Sequence, residues 1–118
     1  MSVRTRRVAK LMHREIAEIL ARDFPTPTIV TVTGVRITSD LSIANIDLSI
    51  MDDSSDTRRE IFESMVNQIP AIRKSLAVRV RHQMRAIPTI RFFLDDSQEH
   101  IQKIDALFEK INQRESNP

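Results

Sequence analysis

Residues 69–96 read IPAIRKSLAVRVRHQMRAIPTIRFFLDD, and this stretch decides how the rest of the chain must be arranged. On a helical wheel advancing about 100° per residue, Ile72, Leu76, Val80, Met84 and Ile87 fall within roughly 120° of one another, the stripe of a core-facing helix. Lys74, Arg81 and Arg85 cluster on the opposite side, and no Asp or Glu occurs between Glu63 and Asp95 to neutralise them. Pro88 stops the helix, because it lacks an N–H and disfavours helical geometry at Ile87. A strand is predicted next, with Ile90, Phe92 and Leu94 alternating against Arg91, Phe93 and Asp95.

Working upstream, a helix over about 57–68 carries Ile61, Phe62 and Met65 inward, and Pro70 breaks or kinks it from the basic helix. Before it lie two strands rich in Val, Ile and Thr, 29–38 and 43–51. Ala44, Ile46, Leu48 and Ile50 share one face of the second. In the first, Val30 and Val32 have one parity while Val35 and Ile37 have the other. The switch falls at Gly34, which predicts a bulge. The short polar connection Ser39-Asp40-Leu41-Ser42 makes the pair an antiparallel hairpin. A first helix is predicted over about 3–23, from Val8, Leu11, Met12, Ile16, Ile19 and Leu20, and Phe24-Pro25-Thr26-Pro27 ends it. Downstream, Ile101, Ile104, Leu107, Phe108 and Ile111 predict a final helix beginning near Ser97. The expectation is one α+β domain over residues 1–118 with a three-stranded sheet, its ends near 1–5 and 113–118 frayed. A return through two helices sets the last strand parallel to a neighbour, and helices cover one face of the sheet.

The 118 residues are 41% hydrophobic, enough for a single core. There is no cysteine, hence no thiolate chemistry and no disulfide framework. The lone glycine, Gly34, excludes the Gly-rich loops that cradle nucleotide phosphates. No run is apolar enough to span or target a membrane, so a cytoplasmic protein is expected. Each apolar stripe is accounted for by one core, so a monomer is expected, without cofactor, metal or small-molecule substrate. His13, His82 and His100 lie far apart on three helices, in no zinc-hydrolase or nucleophile-elbow setting. The acid cluster Asp52-Asp53-Ser54-Ser55-Asp56 lacks the glycine and distal glutamate of a calcium loop. It fits better as the cap of the following helix, provided by Asp56 or a nearby serine.

The formal charge of +2 hides a strong segregation. Residues 1–14 carry Arg4, Arg6, Arg7, Lys10 and Arg14 with no acid, and residues 71–91 carry six bases with none. Residues 40–64 hold seven acids against Arg58 and Arg59. If the two basic segments meet in space, the resulting field favours a polyanion. Fourteen of the eighteen bases are arginine, which suits bidentate phosphate contacts. With no Trp or Tyr and five Phe, the chain lacks an aromatic sheet platform for stacking bases. Phe93 alone points away from its strand neighbours, and packing beneath a helix accounts for it as well as stacking does.

The leading reading is therefore a non-enzymatic RNA-binding protein that contacts phosphates through Arg4, Arg6, Arg7, Lys10, Arg14, Lys74, Arg79, Arg81 and Arg85. Arg79 lies at the edge of the apolar arc. Arg73 falls inside that arc and is assigned instead to a core-side acid or to backbone carbonyls. The rival reading is a protein-interaction module working through the acidic surface, with a small hydrolase behind it.

Several short segments follow one another along the chain: Arg7-Val8-Ala9 and Glu15-Ile16-Ala17-Glu18-Ile19-Leu20, then Val35 with Ser39-Asp40-Leu41 and Ala44, Ile72-Arg73, Leu76-Ala77, Pro88, Phe92-Phe93 and Asp95-Asp96-Ser97. Their order and spacing together resemble the bacterial ribosome-binding factor A family. The resemblance implies a type II KH-like fold. It further implies binding to the immature small (30S) ribosomal subunit and its 16S rRNA, help with rRNA processing and subunit maturation, and often support of growth in the cold. At the bend between the paired helices, Gln68-Ile69-Pro70 stands where the family usually has Ala-x-Gly. An RNA grip through close backbone approach is poorly served there, since Pro70 adds bulk and removes a donor.

Overall fold

The structure, a computed structural model, describes residues 2–96. Helix α1 spans Val3–Asp23, strand β1 Val30–Ile37, β2 Ile43–Ile50, α2 Ser55–Asn67, α3 Ile69–Val80 and β3 Thr89–Leu94. The expected final helix from Ser97 lies outside the described residues.

Local chemistry explains most boundaries. Ser2 caps α1, its Oγ accepting from the Thr5 N–H at 3.2 Å. Ser54 caps α2 by the same contact to Thr57 N at 3.2 Å, and Asp52 Oδ1 accepts from Ser54 N at 2.9 Å. The acid cluster is thus built into a helix start. Gln68 alone separates α2 from α3: its N–H donates to Met65 O at 3.1 Å and its C=O accepts from Ile72 N at 2.9 Å. Pro70 makes one continuous helix impossible without loss, since it has no N–H for the carbonyl four residues back.

The sheet order is β1-β2-β3. β1 runs antiparallel to β2, and the register slips between Val32↔Leu48 and Gly34↔Asp47, so Thr33 is the extra residue of a bulge. β3 returns parallel to β2, from Ile43↔Thr89 to Leu48↔Leu94. The bulge reconciles the split parity of β1, placing Val32 and Ile37 on the same buried side as Ala44, Ile46 and Leu48. Met12, Ile16, Ile19 and Leu20 of α1, Met65 of α2 and Ile72, Leu76 and Val80 of α3 complete that core with Ile90 and Phe92. All three helices therefore lie on one face of the sheet.

The hairpin turn uses Leu41 at φ 62°, a left-handed conformation that a non-glycine residue adopts only when its surroundings demand it. Asp40 supplies that demand. Its Oδ1 accepts from Thr38 Oγ1 at 2.8 Å, Ser42 Oγ at 2.7 Å and Ser42 N at 3.1 Å. These donors, Ser42 Oγ foremost, hold the carboxyl down at about 2.

One boundary departs from the sequence reading. The basic helix ends at Val80 rather than running on to Ile87. Gln83 N and Met84 N both bond to Val80 O, at 2.9 and 3.0 Å, and the chain then leaves the helix. Arg73 on α3 donates to the Ile87 carbonyl, a contact a continuous helix could not make. Met84 and Ile87 still pack against the core, but they reach it along a non-helical path.

Candidate nucleic-acid interface

On α1, Arg6, Arg7, Lys10 and Arg14 fall within roughly 100° of one another, opposite the buried Met12 and Ile16. All four are exposed, as is Arg4. None of them serves the helix dipole, which favours acids near an N-terminus, and the first turn contains no acid. Their placement leaves the cations to solvent or to a partner.

α1 packs against α3, which brings the second basic segment alongside the first. The join is an ion-pair fork. Arg79 Nε donates to Glu15 Oε2 at 2.5 Å, and Arg79 Nη2 reaches Glu18 Oε2. Arg14 adds a looser contact to Glu15 Oε1 at 3.4 Å. Glu15 is only 12% exposed, and the Arg79 hydrogen bond holds its carboxyl below the ordinary carboxylate value against the opposing effect of burial. Arg79 is pushed upward in turn, chiefly by Glu15. Its guanidinium is therefore engaged within the fold, unlike the other eight predicted contact residues, which stand exposed. The two glutamates were not singled out from sequence. The available signal was an i, i+3 acid pair, Glu15 and Glu18, directly after fourteen chain residues whose only charges are basic.

Replacing Glu15 with Gln is expected to cost roughly 1–2 kcal/mol, between the values for exposed and buried pairs. A carboxyl whose folded pKa is lowered contributes its full stability above the ordinary value of 4.5 and loses it as pH falls through the lowered folded value. Urea melts of parent and Glu15→Gln should differ most at neutral pH and converge in acid. A constant gap across pH would assign the loss to packing instead.

Arg73 settles where the second basic segment lies. Its Nη2 donates to Ile87 O at 3.0 Å. Along a continuous helix those residues would stand about 21 Å apart, so the chain after Val80 must fold back beside α3. Arg73 therefore caps a backbone carbonyl, one of its two expected roles. Arg81 and Arg85 ride on this folded-back segment, in a turn and a bend, and do not share a helical stripe with Lys74. Arg81 Nε also lies 3.3 Å from His82 Nε2. Arg73→Ala should release the segment at a stability cost of about 1 kcal/mol. Backbone amide exchange at 81–87 should quicken while α1 is unaffected; unchanged exchange there would remove Arg73 from this role.

On the opposite face of the sheet, Arg36 bonds Asp47 Oδ1 at 2.7 Å, and its guanidinium sits 5.3 Å above the Phe93 ring. Phe93 is 45% exposed, and one face of its ring carries this cation. Among the described residues, no three His, Asp or Glu side chains are grouped to hold a metal ion.

Against known proteins, a family model described as ribosome-binding factor A matches residues 4–108. Ribosome-binding factor A of Chlorobaculum tepidum is 37% identical over 112 residues, covering 94% of this chain and 92% of the relative. That of Chloroherpeton thalassium is 34% identical over 117 residues, covering 98% and 93%. Among solved structures, the crystal structure of ribosome-binding factor A from Thermus thermophilus superposes with a TM-score of 0.61 at 22% identity, covering 76% of this chain and 94% of that one. A Thermus thermophilus coordinate set fitted into a cryo-EM map of a 30S complex gives 0.60 at 22% identity, covering 75% and 91%.

Proposed function

The chain belongs to the ribosome-binding factor A family, and from that premise we propose that it binds the immature 30S subunit through 16S rRNA and assists rRNA processing and subunit maturation. It acts without catalysis, cofactor or metal, as a cytoplasmic monomer on a type II KH-like frame, and it supports growth in the cold. No described helix is long and apolar enough to cross a membrane.

The observation that supports this reading best is the Arg79 fork to Glu15 and Glu18. It fastens two acid-free basic segments side by side, with Arg4, Arg6, Arg7, Lys10 and Arg14 on one and Lys74, Arg81 and Arg85 on the other. Eight exposed cations on two neighbouring segments suit a phosphate backbone, whose contacts position a protein without reading sequence. Arg79 contributes by holding the segments together.

Co-sedimentation with immature and mature small subunits at low and moderate salt tests the proposal. Binding should prefer immature particles and weaken steeply as salt rises, because each neutralised phosphate releases counterions. Binding indifferent to salt would favour the protein-interaction reading through the acidic hairpin and α2. Failure to bind either particle would overturn the assignment.

A further inference from the structure

Between the first half of α1 and the edge strand β1 lies a cleft of about 310 Å³, lined by Ala9, Lys10, His13, Arg14 and Val35. It is separate from the Arg79 fork, which occupies the α3 side of the same helix. The lining has three chemical parts. Ala9 and Val35 are half-buried and pack against the core, giving an apolar floor. His13 offers an exposed flat ring beside that floor. Lys10 and Arg14, exposed and one turn apart, place two cations on the rim, Arg14 keeping only its loose contact to Glu15. Among the described residues, no acid lines the cleft.

A bare phosphate would use the cations and leave the floor and ring idle. An acidic peptide would do much the same. An unstacked nucleotide uses all three parts, with its base on the apolar floor against a flat side chain and its flanking phosphates on the cations. The volume falls at the lower end of the roughly 300–1,000 Å³ typical of sites for small organic groups. We propose that this cleft between α1 and β1 receives one unstacked nucleotide of single-stranded RNA, base on Ala9 and Val35, imidazole of His13 against it, adjacent phosphates on Lys10 and Arg14. The inference rests on the RNA-binding reading above and adds to it a contact that distinguishes a base from an empty backbone.

The test uses the full chain and a hexauridine strand, compared with the fully abasic strand of the same length, with inorganic phosphate and with a hexaglutamate peptide. The intact strand should move the His13 ring resonances and bind roughly fivefold or more tightly than the abasic strand, the range of one base stacked on a side chain. In His13→Ala, an exposed substitution that leaves the core untouched, that ratio should fall toward one. Phosphate or hexaglutamate shifting the ring as far as RNA does would overturn the nucleotide assignment, and so would an unchanged ratio in His13→Ala. If subunits co-sediment with the usual salt dependence but the ratio is one in the parent, this inference falls and the functional proposal stands. If the ratio holds but subunits are not bound, the reverse applies.

Discussion

Exchanging Arg4, Arg6, Arg7, Lys10 and Arg14 together for Gln is expected to flatten the slope of log affinity for small subunits against log salt by roughly four units. The figure follows from five lost phosphate contacts, each contributing about 0.7–0.9 to the slope. In terms of binding, a fourfold rise in salt should cost the parent roughly 250-fold more affinity than it costs the variant. The fold should survive, because all five side chains are exposed on α1 and the core residues Met12, Ile16 and Ile19 are untouched. Arg14 does give up its contact to Glu15, but Arg79 retains the shorter one at 2.5 Å. A folded variant with the parental slope would move the interface to Lys74, Arg81 and Arg85, for which the corresponding loss is roughly two to three units.

Ile46→Ala should unfold the protein most readily of any single truncation considered. Ile46 is fully buried in the central strand, paired with Val35 on one side and Phe92 on the other. Removing its side chain costs the lost transfer energy plus the cavity left behind, roughly 2–5 kcal/mol. For a domain of this size that amounts to a fall in melting temperature of roughly 10–25 °C. Thermal melts followed by circular dichroism would measure it. A loss below about 1 kcal/mol would mean that neighbouring side chains collapse into the space, and that the helices are less firmly seated on the sheet than their packing indicates.

Where sequence and structure agree, a single local cause fixes the backbone. The bulge was legible because β1 has one glycine, and the parity of its apolar residues switches there. The break at residue 68 was legible because proline removes a donor whatever surrounds it. The parallel return of β3 followed from connectivity alone.

The extent of α3 was not legible, and the reason is instructive. Met84 and Ile87 continue a perfect helical period and do face the core, yet periodicity records which residues are buried, not the path by which the chain buries them. The deciding contact joins Arg73 to Ile87 O across fourteen residues. The placement of the basic residues was legible to a similar depth. Eight of the nine predicted phosphate-contact residues stand exposed, but the partners of Arg79 lie sixty-one and sixty-four residues away in sequence, beyond any local pattern. The cleft at His13 was invisible because it closes only when Val35, on another element, is brought against the α1 residues.

The bulge has one further consequence, for how molecules of this chain meet each other. β1 lies at the edge of the sheet, and its sequence Val-Thr-Val-Thr-Gly-Val-Arg-Ile is otherwise well suited to recruiting a second strand from another copy. The unpaired Thr33 interrupts the spacing of outward-facing N–H and C=O groups midway along that edge, and the extra twist of a bulge turns the two halves out of a common plane. An incoming strand can match one half or the other, not both. The device that brings Val32 and Ile37 to one face of the core thus also guards the protein against edge-to-edge aggregation.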